Sequence, residues 1–239
     1  MVSKMTDEEY LKIGEKLKQR YKMKKSVNIL ISAVIVLLGT VSVAFIFRFD
    51  KEGILTFRWL TVDGTLFTIV CSSAFIAINL IEIFYKTELT AVSVYYIRLS
   101  GAVAEGLIMI VVLLSQLPIF EDHMHILRFD MFNMHLLIPL LTISSFIIND
   151  AAIGKLKLKD LLKGTRFVTV YAVIIIILIQ SGVLKSKEIP YFFLDFANME
   201  WWLILMGFAI IYGIGILLSY CISEMNRKLS WLWLKNIAR

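Results

Sequence analysis

Six long apolar stretches, at about residues 27–47, 59–85, 92–117, 130–149, 167–184 and 201–222, restrict what this chain can fold into. Each can cross roughly 30 Å of hydrocarbon as a helix, which takes about 20 residues. Inside a bilayer every backbone N–H and C=O must find its partner within the protein, so spanning segments of this kind are helices. The two-residue alternation of a membrane β-barrel is absent. A hydrophobic content of 59% and a mean hydropathy of +0.78 over 239 residues exclude an ordinary soluble domain. The expected fold is all-α: a polytopic bundle of six transmembrane helices over 27–222, a basic segment 1–26 before it and a tail 223–239 after it.

Lysine and arginine set the expected orientation, because cytoplasmic loops retain them. The N-terminal segment, the loop after the second span, the loop after the fourth and the C-terminal tail together carry eighteen. The opposite side carries six, and Arg98 lies within a span. Both termini are therefore expected in the cytoplasm, in a membrane that reads best as a microbial plasma membrane. The net charge of +6 follows this topology and does not call for nucleic acid. The segment from Glu8 to Lys25 is either a solvated anchor or a short helix on the anionic inner leaflet. Cys71 and Cys221 both fall in apolar spans and read as buried free thiols.

Ionisable groups within a membrane helix cost about 2.5–3.5 kcal/mol on insertion scales, so each needs a partner or a task. Glu82 and Arg98 sit at the same end of adjacent antiparallel spans and are expected to pair. Glu105, two turns further along the third span, has no obvious cation at its depth. It reads equally as a structural group and as a functional one.

The outer ends of spans two and four carry a denser set of polar residues. Span two opens Arg58-Trp59-Leu60-Thr61-Val62-Asp63-Gly64-Thr65, and span four opens Asp130-Met131-Phe132-Asn133-Met134-His135. Thr61 and His135 each fall about one turn below the outer surface, given a rise of about 1.5 Å per residue. Facing one another, they would form a hydroxyl nucleophile and its base. Asp63 and Asn133 share that layer and are candidates to orient the imidazole or to donate to the oxyanion. Thr65 is a second hydroxyl one turn deeper. Pro139 follows His135 by four residues and removes the N–H that would bond the His135 carbonyl, so an irregular turn is expected there. Taken alone, these residues also fit a bland reading: an interfacial histidine, and a threonine bonded to its own helix.

His123 and His125 form a His-x-His pair in an outer loop, short of the three or four ligands a closed metal site needs. No metal and no cofactor is expected. No phosphate-binding loop, nucleophile elbow, zinc-protease motif or dinucleotide fingerprint occurs.

Three segments resemble a known family: Phe57-Arg58-Trp59-Leu60-Thr61, Asn133-Met134-His135-Leu136-Leu137-Ile138-Pro139-Leu140, and Pro190-Tyr191-Phe192-Phe193-Leu194-Asp195. In order and in helix count they are similar to the androgen-induced-protein family of six-helix membrane proteins, with its bacterial Pr6Pr relatives. Animal members are threonine hydrolases that cleave fatty acid esters of hydroxy fatty acids. The resemblance implies Thr61 as nucleophile, His135 as base, and a lipid ester with its acyl chain as substrate. For such a substrate the apolar bundle interior is expected to hold an acyl cavity walled by spans two, three, four and six, with Arg98 and Glu105 on its polar side. The chain departs from the family before span six, where Tyr191 is followed by Phe192 and not by proline.

Two other functions fit the composition. A transporter or channel would use Glu82, Arg98 and Glu105. A non-catalytic lipid-binding protein would hold lipid without turnover. The span-six glycines Gly207, Gly213 and Gly215 permit close helix contacts under every reading.

Overall fold

The computed structural model describes residues 7–50, 52–86, 89, 91–116 and 127–237. Among them there is no strand, and six helices are long and apolar enough to cross a membrane. The protein is an all-helical integral membrane protein.

Helix α1 spans Asp7–Phe49, α2 Leu60–Tyr85 and α3 Val92–Val111. A short α4, Phe129–Phe132, runs through a π-helical turn, Asn133–Leu137, into α5, Ile138–Asn149, and the three pieces make one crossing. A short α6, Leu158–Leu161, leads through a tight turn into α7, Arg166–Gln180. Helix α8 covers Trp201–Ile237. The fifth crossing thus begins at Leu158, nine residues before the apolar run that announced it.

The basic N-terminal segment is not a separate surface helix. From Asp7 onward it continues α1 without a break, and its Lys25 is turned into the bundle at 7% exposure. The tail likewise extends α8 to Ile237. Lys24 lies over the Trp233 ring, 4.5 Å from its centroid, so the first and last helices meet at one face of the bundle, called here the terminal face.

Helix α3 is the centre of the assembly. Leu99, Ala102, Val103, Ala104 and Glu105 are all at 0% exposure. The run Ser100-Gly101-Ala102 followed by Ala104 and Gly106 supplies small surfaces, which let neighbouring backbones approach where dispersion and shape drive association. Helix α3 packs on Phe146 of α5, Val168 of α7 and Ile222 of α8. A second cluster joins Ile35 and Ile46 of α1 to Val62 of α2, Met134 and Ile138. Leu30, Leu37, Val70, Phe84 and Leu217 stay exposed, as lipid-facing residues do. Trp201 and Trp202 mark the far end of α8, and Tyr85 and Trp231 lie toward the terminal face, in the manner of interfacial aromatic belts.

The helix ends are secured by local chemistry. Asn226 of α8 donates its amide to the carbonyls of Phe146, Ile147 and Asp150, which the C-terminus of α5 would otherwise leave bare. After α7 the backbone reverses at Gly182, whose φ of +74° favours glycine, with Val183 and Leu184 both donating back to the Leu178 carbonyl.

The expected Glu82–Arg98 pair does not form. Glu82 takes Lys25 of α1 at 2.7 Å, and Arg98 takes Asp150, just beyond α5, at 2.7 Å. Adjacency of α2 and α3 fixes the depth of the two residues but not the direction each faces. Each turns toward a partner on another crossing. Nor are the thiols both buried: Cys71 is half-buried and Cys221 exposed. Of the three span-six glycines, Gly207 packs against Phe193 and Gly215 against Thr165, while Gly213 faces open space.

Candidate functional site

The start of α2 is held in place from three directions. Arg58 donates to one Glu52 carboxylate oxygen at 2.7 Å, and the Trp59 indole donates to the other at 3.1 Å. The Tyr171 hydroxyl of α7 donates to the Arg58 carbonyl. Trp59, in extended conformation, precedes the first helical turn, and its own side chain does not cap that turn. Thr61 therefore sits on a fixed helix start, where the Val62 and Asp63 N–H groups both donate to the Trp59 carbonyl.

His135 is positioned by the irregular turn that Pro139 imposes. A proline ring crowds the carbonyl four residues back and offers it no donor. The chain answers by widening Asn133–Leu137 into a π-helical turn, in which the Ile138 N–H reaches the Asn133 carbonyl. His135, 7% exposed, then points Nδ1 at the Met131 carbonyl, 2.9 Å away, and Nε2 at Thr61 Oγ1, 3.2 Å away. A carbonyl only accepts, so Nδ1 carries the proton. In the neutral ring Nε2 is then an acceptor, and the Thr61 hydroxyl donates to it. The same constraint sets tautomer and orientation, the role a third group plays in nucleophile–base pairs.

The other residues of that layer go elsewhere. Asn133 is buried and donates to Ser42 of α1 at 3.3 Å. Asp63 is half-buried on α2, near Tyr171 of α7 and Tyr191. Thr65 is fully buried against Gly39 of α1, and its hydroxyl has no hydrogen-bond partner among the described residues. Arg128 holds Asp130 at 2.5 Å and reaches Asp50 at 3.4 Å, an ion cluster that ties the entry of α4 to the end of α1. The hydrogen bond to Asp130 raises the Arg128 pKa above its ordinary value. His123 and His125 lie outside the described residues. Among the described residues no group of three or more metal-ligating side chains occurs.

Thr61 also opens onto a cavity of about 440 Å³. Its walls come from Leu107, Ile108 and Val111 of α3, Val168 and Tyr171 of α7, Pro190, Tyr191 and Phe193 of the loop before α8, and Gly207, Phe208 and Ile211 of α8. The close approach of Phe193 matters here: a Cβ added at Gly207 would stand 2.6 Å from it. The lining is almost wholly apolar, and Thr61, Tyr171, Tyr191 and Tyr212 bring the hydroxyls.

This cavity differs from the one expected. Span five, not span four, forms its wall, and neither Arg98 nor Glu105 lines it. His135 is not itself in the described lining, and Thr61 connects it to the cavity. Arg98 instead lines a separate vestibule of about 300 Å³ at the terminal face, and Glu105 is enclosed at 0% exposure.

Tyr191 was missed as a site residue. Its ring meets Trp59 edge-on, with centroids 6.4 Å apart. Burial, the largest influence on it, pushes its hydroxyl up to about 12, so it remains a proton donor at neutral pH. The signal in the sequence was an aromatic loop, Tyr191-Phe192-Phe193, beside a proline and between two spans.

No family model, curated protein or solved structure matches this chain. The functional argument rests on the site itself.

Proposed function

We propose that the protein is an intramembrane hydrolase of lipid fatty acid esters, with Thr61 as nucleophile and His135 as general base. The observation that carries this reading is the Thr61–His135 contact of 3.2 Å at the mouth of an apolar cavity of about 440 Å³. The likeness of three segments to the androgen-induced-protein family, and with it to Pr6Pr proteins, supports the same pair.

The reaction proceeds in two halves. His135 Nε2 takes the Thr61 proton as Oγ1 attacks the ester carbonyl. The tetrahedral oxyanion collapses, His135 returns the proton to the departing alkoxide, and acyl-Thr61 remains. His135 then deprotonates a water that attacks the acyl group, and the fatty acid leaves as Thr61 regains its proton. A base within hydrogen-bond reach is worth about 10²–10⁴ in rate. The oxyanion needs donors aimed at the developing charge; the Tyr191 hydroxyl, which lines the same cavity as Thr61, is the side-chain donor available there. The acyl chain occupies the apolar cavity, where burial is worth roughly 0.8 kcal/mol per methylene.

The bias of lysine and arginine toward the terminal face supports a cytoplasmic terminal face, with the active pair in the outer leaflet; a microbial plasma membrane is part of the same proposal. The test is mass spectrometry of the protein after brief incubation with a lipid ester and acid quenching. An acyl adduct on the peptide carrying Thr61 is expected. Turnover with no adduct in wild type, and undiminished in Thr61→Ala, would overturn the assignment.

A further inference from the structure

The Glu105 carboxyl has no part in this chemistry, and its surroundings give it a different one. Both of its oxygens are buried and neither has a hydrogen-bond partner among the described residues. The polar group facing it is the Thr68 hydroxyl of α2, near enough to act on the carboxyl but without a hydrogen bond of regular geometry among the described residues. An isolated carboxylate in a membrane interior is costly, and a neutral carboxylic acid still needs its hydrogen bonds met.

The unmet polar atoms continue in one direction. A small cavity of about 20 Å³, enough for at least one water, is lined by Thr68, Ser72, Gly101, Thr142 and Arg98. The Thr142 hydroxyl there is again buried without a partner. Arg98 is shared with the vestibule of about 300 Å³, where Asp150 Oδ1 and the Asn149 amide are also unpartnered. Buried polar groups in native proteins are nearly always satisfied by protein or by water. Among the described residues these atoms find no partner, and the small cavity reaches Thr68, the residue that faces Glu105.

We propose that water enters from the terminal face, passes Arg98 and Thr142, and reaches Thr68 and Glu105, making Glu105 a proton-exchanging site in the middle of the bundle. Its ligand is the proton, carried by water. The ionised groups along the route are Lys24 and Lys25 of α1, Glu82 of α2 paired with Lys25, Arg98 of α3 and Asp150 after α5. They all lie at the terminal end. Glu105 is seven residues from Arg98, roughly 10 Å along α3. At the neighbouring Gly106, the side chains that approach are the uncharged Leu218 of α8 and Ile143 of α5.

Two measurements on the full chain in membranes test this. The first is the infrared band of a protonated carboxylic acid in wild type, assigned by its loss in Glu105→Gln and its displacement in Glu105→Asp. The band is expected to shift promptly in D2O; its absence, or its failure to shift, overturns the proposal. The second places Thr142→Cys in a Cys71→Ser, Cys221→Ser background and exposes it to a small, membrane-impermeant methanethiosulfonate. An N-terminal tag identifies the face, and Asn149→Cys in the vestibule confirms folding. Modification of Thr142→Cys at least tenfold faster from the terminal face is expected. Reaction of Asn149→Cys without Thr142→Cys, or faster reaction of Thr142→Cys from the other face, rejects the route.

Discussion

Thr61 and His135, 74 positions apart in the chain, meet at 3.2 Å, and the meeting depends on an irregular turn in the histidine's helix. The π-helical turn sets the direction in which His135 points, and the Met131 carbonyl sets which nitrogen faces Thr61. A nucleophile–base pair needs both conditions.

Replacement of Pro139 tests the first condition. Pro139→Ala restores an N–H for the His135 carbonyl and lets the turn relax toward α-helical geometry, in which each residue removed from a bulge rotates the preceding helix by about 100°. Ester turnover is expected to fall by about 10²-fold while thermal stability in detergent holds or rises. Unchanged turnover would show that the bulge does not position the base.

Tyr191→Phe removes one hydroxyl and leaves the ring against Trp59. If that hydroxyl stabilises the oxyanion, kcat is expected to drop by about 10²-fold with KM little changed, the signature of an interaction made only in the transition state. A rise in KM alone would assign Tyr191 to substrate binding.

Gly207→Ala presses on Phe193, since the added carbon would lie 2.6 Å from it. The ring must shift, and the cavity it lines changes shape. Hydrolysis of long-chain esters is expected to weaken, whereas that of short-chain esters is retained. Equal loss for both chain lengths would place the effect on folding and not on the acyl site.

The arginine at the terminal face answers to stability. Asp150→Asn leaves Arg98 buried without its counter-charge, although Ser145 and Asn28 still accept from it. Breaking one partner of a buried pair costs about 3–5 kcal/mol, whereas replacing both by apolar residues of similar size is often nearly neutral. Thermal unfolding is expected to show Asp150→Asn much less stable than wild type, with Arg98→Met/Asp150→Leu recovering most of the loss. No recovery in the double variant would mean that the arginine has a task beyond pairing.

The crossings and the Thr61–His135 pair were legible in the sequence, because helix length, depth from the surface and a proline four residues after a histidine are local signals. Rotation about the helix axis was not. Glu82 and Arg98 share a depth, yet α1 and the Asp150 end of α5 take them. Asn133 shares the depth of His135 but turns to Ser42. The cavity wall passed from span four to span five for the same reason. Which face of an apolar helix meets which neighbour is settled by packing of small residues on α3, and an unbroken run of leucine, isoleucine and valine does not encode that choice.

The most direct measurement of the central claim compares purified wild type, Thr61→Ala and His135→Ala, each shown to be folded, for turnover across a panel of lipid esters. Wild type is predicted to hydrolyse at least one ester, and both variants to lose that activity by about 10²-fold or more. Equal turnover by all three, or none from wild type across the panel, would contradict the account.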